Sequence, residues 1–159
     1  EDFYLRLRIN TELNQELGLK IYSFPMRYIS LNSKNRLVNS PGNVGKYWNK
    51  KYLRAIQCIL NATRGVVGPN LNFFEEAFGR NVSEFKKILL MPEEYIIKRF
   101  EHRDNGSTDL WWTQFESLSV SERETFMSLI FENNFRKLNT KKLSKNILRV
   151  IEHYYPESS

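Results

Sequence analysis

The chain has 159 residues, 41% of them hydrophobic and 14% aromatic, a composition that can build its own core and excludes a largely disordered protein. A formal net charge of +6 permits an anionic partner without requiring one. One cysteine, Cys58, excludes an internal disulfide framework and any multi-cysteine zinc or iron–sulfur site built from this chain alone.

No apolar run approaches the ~20 residues needed to span a bilayer. The first residues are Glu1 and Asp2, where a secretory signal would carry a basic region before an apolar one. A cytoplasmic protein with no membrane partner is expected. The sequence starts without an initiator methionine and is read as a fragment of something longer.

Residues 1–17 predict a helix with acids in its first turn and an i, i+4 stripe of Leu5, Ile9, Leu13 and Leu17. Gly18 is its C-terminal stop. Lys20 to Phe24 combine β-branched and aromatic residues in rough alternation and predict a strand, the one convincing strand in the chain. Pro25 lacks an amide hydrogen, so regular pairing should end there, leaving Met26, Arg27 and Tyr28 on an exit loop. Exit loops after strands are where α/β proteins place ligand contacts, which makes these three candidate cofactor- or substrate-binding residues. The plainer reading puts Met26 and Tyr28 in the core and Arg27 in a surface ion pair.

Residues 31–45 are rich in Asn, Ser, Gly and Pro and read as a connecting loop. Lys46 to Thr63 predict a strongly patterned helix with Trp48, Tyr52, Ile56, Ile59 and Leu60 on one side. In its first turns Lys46, Lys50, Lys51 and Arg54 alternate with aromatics. With Trp48 these form a candidate surface for nucleic acid or an acidic protein, by phosphate contact and stacking. A core helix with a solvated basic face explains the same pattern.

Beyond residues 64–69 the pattern is helical to the end. Short helices are expected over residues 70–78, 81–90 and 93–102, then from Thr108, Ser119 and Thr140. Asn81 with Glu84, and Ser119 with Glu122, have capping-box spacing. Tyr95, Ile96 and Phe100 join the expected core, and of the adjacent Trp111 and Trp112 one should be buried and the other lie at an interface or in a groove. The last helix should bury Leu143, Ile147, Val150, Ile151 and Tyr154 and expose Lys141, Lys142, Lys145 and Arg149. His102 and His153 lie near helix ends, far apart in sequence, and read as surface or capping residues. No HExxH, CxxC, GxSxG or Walker A motif is present.

The residues thus predict a mainly α fold of about seven or eight helices with the single strand Lys20 to Phe24. Residues 1–30 form a helix–strand unit and residues 46–156 a helical domain. Three stretches, DFYLRLRINTELNQELGLKIYSFPMRY, KYWNKKYLRAIQCILNATRGVVG and FFEEAFGRNVSEFKKILLMPEEYIIKRF, resemble the C-terminal part of a group of uncharacterised radical SAM proteins. The resemblance implies that Lys20 to Phe24 are a late strand of a truncated α/β barrel, with Met26, Arg27 and Tyr28 at its cofactor-facing end. It also implies a 4Fe-4S cluster and S-adenosylmethionine held by an upstream domain of the same polypeptide. The CxxxCxxC cluster motif is absent here. The expected role is therefore an accessory, substrate-side helical region, not catalytic by itself. The alternative is a stand-alone basic module using Lys46, Trp48, Lys50, Lys51 and Arg54.

Overall fold

The computed structural model describes residues 1–23, 44–135 and 140–155. Among them the fold is mainly helical, with nine α-helices and a short 3-10 helix. The chain divides into two compact units, Glu1–Leu90 and Met91–Ser159. Within the first unit, the helix before residues 31–45 packs on helices that come after them.

In the N-terminal unit, α1 (Asp2–Leu17) ends at Gly18, whose φ of 62° is the left-handed conformation that glycine adopts without a Cβ penalty. α2 (Lys50–Ala62), α3 (Leu71–Phe78) and α4 (Val82–Leu90) follow. The side chain of Asn49 accepts from Tyr52 N–H, that of Asn70 from Phe73 N–H and that of Asn81 from Glu84 N–H. Each satisfies a first-turn amide that the helix cannot. The Asn49 cap starts α2 four residues later than the apolar pattern alone suggests. α1 packs on α3 and α4, and α2 on α4. Tyr4, Phe74, Phe78 and Phe85 form the centre, with Tyr4 ring centroids 5.4 Å from Phe74 and 5.3 Å from Phe85. Aromatic contacts at these spacings add to the area that they bury. Cys58 is fully buried and acts as a small core hydrophobe.

The strand expected over residues 20–24 is not formed over residues 20–23, and residue 24 lies outside the described residues. A side chain takes the place of a partner strand: the Asn14 amide bonds both backbone polar groups of Ile21. Residues 18–23 therefore double back against α1 without a ladder. No strand occurs among the described residues.

The C-terminal unit comprises α5 (Glu93–Ile97), α6 (Arg99–Asp104), α7 (Ser107–Glu116), α8 (Val120–Phe131), a 3-10 helix (Thr140–Lys142) and α9 (Lys145–Glu152). The single helix expected over residues 93–102 is broken at Lys98, whose ψ of 44° leaves the helical region. The last helix begins at Lys145, capped by Ser144, instead of at Thr140. The capping box of Ser119 and Glu122 forms as its spacing predicts. Trp111, Phe126, Ile130 and Val150 are fully buried, with Ile147, Ile151 and Phe115 beside them. Trp112 is only half-buried, so the adjacent tryptophans divide as expected. Phe100 differs from expectation and is exposed, lying under the Arg103 guanidinium at 5.0 Å.

Candidate functional site

Met26, Arg27 and Tyr28, the candidate ligand contacts after the expected strand, lie outside the described residues. The five residues of the candidate anionic-partner surface are described, and they do not form one open face. Lys46 is exposed and sits 5.4 Å from the Tyr47 ring centroid. Trp48 turns inward, edge-on to Phe3 at 5.6 Å. Lys50 is exposed at the start of α2, while Arg54 is half-buried and bonded to Gln57 at 3.1 Å. Lys51 is fully buried, which removes it from any surface that a macromolecule could touch. The mixed spacing of bases and aromatics on a helix therefore served packing as much as solvation.

The outward surface of α1 mixes Asp2, Arg6, Gln15 and Glu16 with apolar side chains. Its buried face is Tyr4, Leu7 and Thr11, while Leu5, Ile9 and Leu17 of the predicted stripe are exposed, Ile9 at 52%. The predicted stripe is therefore not the buried face of the helix, and within it only Leu13 is half-buried. Leu19 and Tyr22, just beyond the helix, are exposed as well. A cleft of about 370 Å³ separates the C-terminal half of α1 and residues 19–23 from residues 65–69. Asn10 and Asn14 line it on the α1 side, with Asn10 donating to the Ser23 hydroxyl at 3.1 Å.

Arg8 ties α1 to the far end of α3. Its guanidinium donates to Glu12 at 2.7 Å, to the Tyr4 hydroxyl at 3.0 Å, to the Arg80 carbonyl at 2.6 Å and to Glu75 at 3.0 Å. Tyr4 in turn donates to the Gly79 carbonyl at 2.9 Å. The Tyr4 hydroxyl first, then the two carboxylates, hold Arg8 more firmly in its charged form. The arrangement fills the donor fork of the arginine and positions structure; it leaves no reactive group open.

The most chemically diverse cluster lies in the C-terminal unit. Tyr95 of α5 meets two histidines that are far apart in sequence. Its hydroxyl is 2.7 Å from His153 Nδ1, and its ring stacks on His102 with centroids 4.3 Å apart. His153 Nε2 lies 2.9 Å from Gln114 Oε1 of α7. A carbonyl oxygen can only accept, so Nε2 carries the proton and Nδ1 accepts from Tyr95. Burial pushes the His153 imidazole below its ordinary range, with Glu152 opposing in part. Neither ring nitrogen of His102 has a hydrogen-bond partner, and the Glu94 carboxylate stands 3.9 Å from Nε2. Sequence spacing gave no sign of this grouping. His153 does cap α9, as its position suggested.

Among the described residues no three His, Cys, Asp or Glu side chains are placed to hold a metal ion, and no helix is long and apolar enough to cross a membrane. No family model, curated protein or solved structure matches the chain.

Proposed function

We propose that this chain is the C-terminal, substrate-side helical region of a cytoplasmic radical SAM enzyme, docked through α1 on an upstream domain of the same polypeptide. The uncovered apolar stripe on α1 is the observation that carries this reading. A helix that buries Tyr4, Leu7 and Thr11 on one face and leaves Leu5, Ile9 and Leu17 exposed on another is dressed for contact on two sides. Directly after it, the Ile21 backbone takes its hydrogen bonds from the Asn14 side chain, which a neighbouring strand could replace.

The residues of this chain do not fit the cluster that such an enzyme needs. Its one cysteine is buried in α2 and cannot supply three thiolates. The 4Fe-4S cluster and S-adenosylmethionine belong, on this reading, to the upstream domain, and no step through them is assigned to residues here. The helices from α2 onward then serve to receive or cover a substrate. Comparing the intact polypeptide with this chain alone for bound iron and reductive cleavage of S-adenosylmethionine tests the proposal. Activity confined to the intact protein supports it, and an intact protein without the cluster motif refutes it.

A further inference from the structure

We propose that Tyr95, His153 and Gln114 form a proton-sensitive latch, which fastens the C-terminal end of α9 to α5 and α7 while His153 is neutral and loosens it on protonation. The geometry gives the latch a defined closed state. His153 follows the last turn of α9 and bonds to two separate helices, donating from Nε2 to Gln114 at 2.9 Å and accepting at Nδ1 from Tyr95 at 2.7 Å. One imidazole ring thus joins the end of α9 to both α5 and α7. Protonation turns Nδ1 from acceptor to donor, so the Tyr95 hydroxyl must reverse and its own proton must find a new acceptor.

The surroundings are poor in compensation for the added charge. From α5 His153 faces the neutral Tyr95 phenol, and from α7 the neutral Gln114 amide. α8 meets this end of α9 with Phe126 against Tyr154, ring centroids 5.7 Å apart. The Glu152 carboxylate, its neighbour on α9, acts on His153 in the opposite sense. From α6, His102 reaches the cluster by stacking on Tyr95, with Glu94 of α5 at 3.9 Å. Burial disfavours the imidazolium, which sets the direction of the response. The His153 contribution is fully present above the ordinary histidine value near 6.5 and is lost as pH falls below it.

Amide hydrogen exchange on the full chain, corrected for intrinsic rates, tests the latch. Protection of residues 150–155 should drop at least several-fold between pH 7.5 and 5.5, beyond any change in α2 or α4. His153→Gln keeps a donor and an acceptor without titrating, and its profile over that range should be flat. Nitrogen chemical shifts of the unmodified protein at pH 7.5 should report the Nε2–H tautomer of His153, which keeps the idea testable if the variant folds poorly. A flat wild-type profile, an unchanged pH response in His153→Gln, or the Nδ1–H tautomer would each overturn it.

Discussion

Asn14 holds Ile21 by both of its backbone polar groups, accepting the N–H at 2.7 Å and donating to the carbonyl at 2.8 Å. One side-chain amide thus does what a neighbouring strand would do for that residue, and it pins residues 18–23 along α1. Asn14→Ala should cost about 1 kcal/mol in urea unfolding and abolish protection of the Ile21 amide. Asn14→Asp should keep the bond to the N–H and lose only the one to the carbonyl. Retained Ile21 protection in the alanine variant would show that the amide pairing is incidental.

Arg8 is the second fastening of α1. Arg8→Ala leaves the Glu75 carboxylate, the Tyr4 hydroxyl and the Arg80 carbonyl without their common donor, and should cost about 2 kcal/mol. Arg8→Lys should recover only part of this, since an ammonium cannot reproduce the planar fork. Equilibrium unfolding of the two variants, monitored by far-UV circular dichroism, gives the comparison.

Gly79 joins α3 to α4 at φ 92°, and a Cβ there would stand 2.9 Å from the Phe85 backbone nitrogen. Its carbonyl also receives the Tyr4 hydroxyl. Gly79→Ala meets an unfavourable backbone region and a close backbone contact together, so the loss should exceed about 1 kcal/mol. A thermal shift no larger than that of an exposed helix substitution would contradict the strain at this turn.

Much of the fold was legible because its signals are local. The Ser119–Glu122 box, the Gly18 stop and the inward set of Ile147, Val150 and Ile151 each follow from residues within one or two turns. What could not be read depended on distant partners. The alternation of residues 20–24 satisfied the strand pattern, but a strand requires a neighbour, and Asn14 supplied the bonds instead. Lys51 looked like a surface base because composition does not tell which side of α2 is covered. The meeting of Tyr95, His102 and His153 is a tertiary event between helices that share no periodicity.

The junction of α8 and α9 carries a pH dependence of its own. Hydrogen bonds from the Ser144 hydroxyl, then from the backbone and hydroxyl of Ser119, hold the Glu122 carboxyl well below the usual carboxylate range, to about 2. Because the folded value is depressed, the contribution is present above the ordinary 4.5 and disappears as pH falls toward 2. Glu122→Gln should lower stability above that window, where the carboxylate contributes, and flatten the acid limb across it. Unfolding midpoints from pH 2 to 6 for both proteins measure the difference.

The α1 stripe distinguishes the chain by itself from the chain in its proposed setting. Ile9→Glu, at a half-exposed position, should change the stability of the isolated chain by no more than about 0.5 kcal/mol. In the intact polypeptide the same substitution would place a charge in an apolar contact and should be strongly destabilising. Equal effects in the two settings would mean that α1 is uncovered in both.

The most direct measurement is iron content and reductive S-adenosylmethionine cleavage in the anaerobically purified intact polypeptide, beside the isolated chain. The proposal predicts a bound iron–sulfur cluster and 5′-deoxyadenosine formation in the intact protein and neither in the chain alone. An intact protein that binds no iron and leaves S-adenosylmethionine untouched would contradict it.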